Sequence, residues 1–167
     1  KKLWCIGGDG AMVDIGFQSM SRMLASGMDI NVLILDTQVY SNTGGQTSTA
    51  SYVGQDAKMS MVGKEIGGKI ERRKEIGNLC MMHPDVFVAQ TTCAHTNHFY
   101  KAVMAANEYP GPAVINVFTT CQPEHGVADD MAMHQAKLAA DSRAFPVFIY
   151  DPTKGARFSE RLSLQGN

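Results

Sequence analysis

The sequence has no apolar run long enough to cross a bilayer, no Cys-x-x-Cys pair, no excess of either charge, no internal repeat and no low-complexity tract. Each absence excludes something. A membrane-spanning helix needs about 18 consecutive apolar residues, so none is expected. The opening Lys-Lys-Leu-Trp-Cys-Ile-Gly-Gly is basic, but it reaches glycine too soon for the hydrophobic stretch of a secretory signal. With 15 Lys and Arg against 16 Asp and Glu, the net charge of −1 excludes the clustered basic surplus of a nucleic-acid footprint. Cys5, Cys80, Cys93 and Cys121 lie far apart; with 11 methionines they indicate a reduced, cytoplasmic protein rather than a disulfide scaffold. The one dense charged stretch, Lys69 to Glu75, mixes signs and is expected to be a solvated loop or helix face.

What is present is a chain able to build a core. Its 167 residues suit one domain, and 44% hydrophobic against 19% charged residues is a globular balance. Leu3-Trp-Cys-Ile6, ended by Gly7-Gly8, has the pattern of a buried parallel strand. Met12, Gly16, Met20, Met23, Leu24 and Gly27 recur at spacings of three and four, predicting a helix over 11 to 27. Asn31 to Asp36 reads as a second strand. Residues 37 to 73 are rich in Gly, Ser, Thr and Gln without periodicity, and such long connections are usually functional. Beyond them the pattern predicts a helix over 74–82, a strand over 86–90 and a helix over 96–108 with Phe99, Val103 and Met104 inward. A turn at Tyr109 to Pro112 leads to a strand over 113–118, a helix over 129–141 and a last strand over 145–150. Alternating strands and helices predict an α/β fold, a doubly wound and mainly parallel sheet of about five strands with helices on both faces. The abrupt ends lead us to expect an excerpt from a longer chain, with residues 1–151 as the domain and 152–167 as a tail leading out.

In open parallel sheets ligands bind beyond the carboxyl ends of the strands, which directs attention to Gly7–Ala11 and Asp36–Gln46. Gly7-Gly8-Asp9-Gly10 ends one strand and opens a helix, a place where glycines admit a ligand and free N–H groups favour an anion. It is neither a dinucleotide fingerprint, since Val13 stands where a third glycine is needed, nor a P-loop, since the lysine is missing. An acid among such glycines is compatible with a phosphate only if a cation separates them. The next strand ends in Asp36-Thr37, and neighbouring strands lie about 4.8 Å apart. The Asp9 carboxylate, the Thr37 hydroxyl and the Val39 carbonyl could therefore give magnesium three of its six oxygens, with two diphosphate oxygens and a water completing the shell.

A Gly-Asp-Gly followed, after residues 11 to 35, by a polar pair resembles the signature of thiamine-diphosphate enzymes. Most of them carry Asn-Asn where this chain has Asp36-Thr37. Leu35-Asp-Thr-Gln-Val-Tyr-Ser-Asn-Thr-Gly-Gly-Gln46 resembles the cofactor loop of pyruvate:ferredoxin oxidoreductases, the branch in which Thr at the second position is typical. Asp14-Ile-Gly16, Leu24-Ala-Ser-Gly27 and Tyr150-Asp-Pro152 also fit. The likeness is dense over residues 3 to 46, looser to about 151, and departs over Thr47 to Arg73.

The resemblance implies roles. Gly8, Asp9, Gly10 and Ala11 would meet the diphosphate, although relatives often have an aromatic at Ala11. Thr37, Gln38, Val39, Tyr40, Ser41 and Asn42 would wrap the diphosphate and metal. Asn42 would be catalytic, presenting an uncharged amide to the thiazolium and the oxoacid. Thr119-Thr-Cys121 is placed like the one ligand this segment gives a [4Fe–4S] cluster, whose other three thiolates come from upstream sequence. The implied reaction is oxidative decarboxylation of a 2-oxoacid, pyruvate foremost, to acyl-CoA and CO2. Its electrons would pass to ferredoxin or flavodoxin in an anaerobic, homodimeric enzyme whose other domains or subunits complete the site.

Two other readings share parts of this pattern. A non-redox thiamine lyase or synthase would keep Asp9 and Thr37 but need no Cys121. An α/β binding module would hold a nucleotide alone. His95-x-x-His98 lacks further zinc ligands and reads as helix capping or surface; His125, four residues past Cys121, is a weaker candidate to face the cofactor; Cys5, Cys80 and Cys93 read as core filler.

Overall fold

The structure is a computed structural model that describes residues 2–60 and 67–164. Residues 61–66 of the long connection and 165–167 of the expected tail lie outside the described residues. Strands β1 (Leu3–Gly8), β2 (Ile30–Asp36), β5 (Phe87–Thr92), β6 (Ala113–Phe118), β7 (Phe148–Tyr150) and β8 (Leu162–Leu164) form one sheet in the order β1-β2-β6-β5-β7-β8. The pairs β1·β2, β2·β6 and β6·β5 are parallel, as the alternating pattern predicts.

Helices cover both faces. On one, α1 (Phe17–Leu24) and α2 (Ile76–Met81) bring Met20, Leu24, Ile76 and Cys80 onto Val32, Ile34, Val88 and Val114. On the other, α3 (Thr96–Glu108) sets Ala102, Ala106, Phe99 and Val103 against Phe87, Ala89, Ile115 and Val117. Met104 is not part of that stripe and is 41% exposed. At about 100° per residue, positions 99, 102, 103 and 106 share a face that 104 leaves.

Three further expectations change. The first strand is the edge of the sheet, paired only with β2, so Leu3 and Ile6 stand about three-fifths exposed (61% and 62%) instead of buried. The helix expected over 11–27 divides at Gly16 into a π-helical turn, Gly10–Ile15, and α1; such widened turns are frequent at functional sites. The strand expected last, β7, runs antiparallel to β5 and is followed by β8, antiparallel to it in turn. Here the cause is a contact. Phe145 packs edge-on against Phe118, the final residue of β6, at 5.4 Å between ring centres. The chain leaving α5 (Ala132–Asp141) thus reaches the sheet at its carboxyl edge and can only run back. An antiparallel edge on a parallel sheet is a common arrangement.

The mixed-charge stretch also departs from its expected solvation. Lys69 is 6% exposed, and the Arg73 guanidinium lies over the rings of Tyr52 and Phe145 at 4.9 and 5.1 Å while pairing with Glu75 at 2.6 Å. A planar, weakly hydrated cation tolerates such stacking. Among the described residues no helix is long and apolar enough to cross a membrane.

Ile115, fully buried in central β6, tests the core. Ile115→Ala is expected to cost about 2–5 kcal/mol and Ile115→Val about 0.5–1.5 kcal/mol, read as denaturant unfolding shifts. Equal effects would show that the site is not close-packed.

Candidate functional site

Because β1 and β2 are parallel and in register, Gly8 opposite Leu35, the residues just beyond them share the carboxyl edge of the sheet. Asp9 starts the π-helical turn there, and Thr37 follows β2. The connection after β2 then doubles back as a small antiparallel hairpin, β3 (Val39–Tyr40) against β4 (Gln46–Thr47), folding Ser41 and Asn42 over the same edge.

The resulting cleft, about 340 Å³, is lined by Gly8, Asp9, Gly10, Ala11, Thr37, Val39, Tyr40, Ser41 and Asn42. Gln38 is the sequence candidate that the cleft leaves out. It takes a left-handed backbone (φ 63°) and buries its amide in a second, larger cavity beside Tyr52, Phe118 and His125. Gly10 is required by contact, for a methyl there would overlap the Tyr40 ring, which is pinned by its hydroxyl donating to Asp14 at 2.7 Å. Asn42 stands exposed at the rim.

At the centre is a buried acid without a basic partner. Asp9 is 1% exposed, and its oxygens accept from neutral donors: the Thr37 N–H (3.2 Å) and hydroxyl (3.0 Å) on Oδ1, and the Ser48 hydroxyl (2.7 Å) on Oδ2. Burial pushes its carboxyl above the ordinary range, although the donors from Ser48 and Thr37 pull the other way. No basic side chain forms an ion pair with it among the described residues.

The Thr37 hydroxyl has too many acceptors. Its proton faces two acceptors, Asp9 Oδ1 at 3.0 Å and the Val39 carbonyl at 3.1 Å, while Ser41 Oγ at 2.9 Å can either donate to it or accept from it. One hydroxyl proton serves only one acceptor. A hexacoordinate cation resolves the conflict, because adjacent oxygens about 2.1 Å from magnesium stand about 3.0 Å apart. The donor set fits a hard divalent ion.

A second acid lies just behind. Asp36, 2% exposed, has its carboxyl pushed up to about 7, chiefly by burial and then by the neighbouring Asp9 charge, with Arg73 and the Asn116 amide opposing. Asn116 donates to Oδ2 at 3.3 Å, while Oδ1 has no hydrogen-bond partner.

Cys121 does not join this cluster. It caps the short α4 (Gln122–His125) beyond β6, and among the described residues no group of three or more His, Cys, Asp or Glu is placed to hold a metal. Cys80 is buried in α2, where burial pushes its thiol to about 12. His125 lies half-buried beside the larger cavity, with Nε2 unpartnered. That cavity, about 800 Å³, is lined by Asp56, Glu124 and Asp141, with His125 but no Lys or Arg, a poor setting for a diphosphate without a metal.

Ser48 and Lys69 were not legible as site residues. Ser48 is one hydroxyl among many in residues 37–60, and Lys69 lies in the charged stretch that composition assigns to solvent.

The chain belongs to the thiamine pyrophosphate enzymes, matching their C-terminal TPP binding domain over residues 1–117. Within that class, it is 38% identical over 153 residues to the pyruvate:ferredoxin oxidoreductase of Moorella thermoacetica, covering 91% of this chain and 13% of the relative. To the pyruvate-flavodoxin oxidoreductase of Rhodospirillum rubrum it is 36% identical over 167 residues, again 13% of that protein. The chain therefore spans about one-eighth of these relatives. The fold matches a solved structure, 2-oxoglutarate:ferredoxin oxidoreductase from Magnetococcus marinus with 2-oxoglutarate, coenzyme A and succinyl-CoA bound, at a TM-score of 0.62 and 24% identity over 71% of this chain and 40% of that one. The resemblance drawn from residues 3 to 46 is borne out.

The Asp36 environment sets a pH dependence. A carboxyl whose folded value is about 7 against an ordinary 3.8 adds stability below 3.8 that is lost as pH rises through about 7. Asp36→Asn should flatten that decline, measured by unfolding without metal or cofactor across this window. An unchanged slope would place the titration elsewhere.

Proposed function

We propose that this chain is the cofactor-holding part of a larger 2-oxoacid oxidoreductase, the pyruvate enzyme foremost, that produces acyl-CoA and CO2 and delivers electrons to ferredoxin or flavodoxin. What carries the reading is the buried Asp9 carboxylate beside the Thr37 hydroxyl, which sits among three oxygens at the spacing of a magnesium shell. The names of the curated relatives supply the reaction class.

When bound, thiamine diphosphate supplies the nucleophilic carbon and electron sink for decarboxylation. The residues of this chain hold and orient it. Asp9, Thr37 and the Val39 carbonyl take magnesium; Gly8, Gly10 and Ala11 let the diphosphate come against the backbone; Gln38, Tyr40 and Ser41 form the wrapping segment, with Gln38 contributing its backbone. Asn42 presents an uncharged amide at the rim, suited to an oxygen that gains charge during reaction. Cys121 contributes one thiolate to a [4Fe–4S] cluster whose other ligands lie in the rest of the enzyme. We assign residues 1–151 to the domain and 152–167 to the segment leaving it, which adds β8 to the edge of the sheet on its way out. The assembly is a cytoplasmic homodimer.

Two measurements test this. Thiamine diphosphate with Mg2+ should raise the thermal midpoint, the shift vanishing in Asp9→Ala, whereas ATP or NAD should leave it unchanged; protection by the nucleotides instead would defeat the reading. In the complete enzyme, Cys121→Ala should keep thiamine diphosphate but lose iron and its visible absorption. Full iron content and electron transfer in that variant would remove Cys121 from the cluster.

A further inference from the structure

The buried ammonium of Lys69 is unusual in lacking a carboxylate. Lysines are almost never fully buried unless paired, yet Lys69 forms no ion pair within 4.0 Å among the described residues. Its three N–H groups donate instead to the carbonyls of Ser48 (3.1 Å), Thr49 (3.2 Å) and Ser51 (2.9 Å). Three donors meet three acceptors, which satisfies the ammonium completely. The Lys69 backbone is itself tied down, its N–H donating to Gln55 and its carbonyl accepting from Gly54.

The turn gathered in this way touches the site at several points. The Ser48 hydroxyl donates to Asp9 Oδ2 at 2.7 Å, and Ser48 is 3% exposed. Thr49 donates from its N–H and hydroxyl to Asp14, the carboxylate that also holds the Tyr40 hydroxyl. Ser51 donates to the carbonyl of Gln38, between Thr37 and Val39. The turn thus contacts the first acid and the far side of the Thr37–Val39 segment together.

Orientation is what this arrangement controls. The terminal torsion of an aspartate is broad and two-fold, so a carboxylate left alone rotates readily. Ser48 occupies Oδ2, and Oδ1 is thereby left facing Thr37. We propose that Ser48 and Lys69 are positioning residues for the divalent metal, Ser48 by fixing the Asp9 carboxylate and Lys69 by fixing Ser48. This rests on the magnesium–diphosphate reading above and adds to it two residues that touch neither metal nor cofactor.

The test titrates Mn2+ into the complete enzyme, freed of metal and then saturated with thiamine diphosphate, reading free Mn2+ by electron paramagnetic resonance. Ser48→Ala should raise the half-saturating Mn2+ concentration about tenfold, the scale of one hydrogen bond to a charged group, and Ser48→Thr should restore it. Lys69→Ala should show the same loss. Added propylammonium, which replaces the deleted aminopropyl group, should recover the affinity, whereas tetramethylammonium, with equal charge and no N–H, should not. Unchanged Mn2+ affinity in Ser48→Ala overturns the proposal, as does equal rescue of Lys69→Ala by both cations. If Lys69→Ala does not fold, the two Ser48 variants decide by the same titration. Wild-type enzyme that takes up no Mn2+ overturns the underlying cofactor reading instead, and is distinguishable because no variant is then needed.

Discussion

A carboxylate held out of water and, among the described residues, hydrogen-bonded by neutral donors alone is the constraint around which this structure is organised. Asp9 is 1% exposed at the carboxyl end of an edge strand, and burial raises the cost of its charge. Hydroxyl and amide donors from Thr37 and Ser48 offset part of that cost without adding positive charge. What remains is a centre of negative potential lined by oxygens at metal-shell spacing. The rest of the carboxyl edge is arranged to keep this centre in place.

Parallel pairing does the first part of that work. Register sets Gly8 beside Leu35, so residues 9 and 37 emerge from adjacent strands at one level. The β3–β4 hairpin then folds the chain back, and Tyr40 closes on the bare backbone of Gly10 while Asp14 anchors its hydroxyl. Beneath lies a second layer of buried polarity, with Asp36 against Asn116 and Asn116 against Gln90. Two acids close together in low dielectric raise each other's proton affinity. Burial first, and the Asp9 charge second, push the Asp36 carboxyl up to about 7, which limits the negative charge packed behind Asp9.

The chain spans about one-eighth of the relatives it matches, and its site is open on one side. Asn42 is exposed at the rim, Cys121 belongs to no group of three or more His, Cys, Asp or Glu among the described residues, and the larger acidic cavity beside His125 has two unpartnered polar atoms, Gln38 Nε2 and His125 Nε2. The sheet edge and the strapped connection together line the cleft with the Asp9, Thr37 and Ser41 oxygens.

Local signals were enough to determine much of this. Apolar runs ended by glycine located β1 and β2, alternation of strands and helices fixed the α/β class, and an acid between glycines followed by a Thr one strand later marked the two sides of the cleft. Those signals depend on neighbours in sequence or on the known spacing of parallel strands. Tertiary structure alone decided the remainder. The direction of β7 followed from Phe145 meeting Phe118, the exposure of Leu3 and Ile6 from β1 lying at an edge, and the turn of Gln38 away from the cleft into a second cavity from its own left-handed backbone. Ser48 and Lys69 are 39 and 60 positions from Asp9 in the sequence. Nothing local distinguishes a hydroxyl or an ammonium that will be buried from one that will face water. That difference arises only when a loop closes and its carbonyls converge on one point.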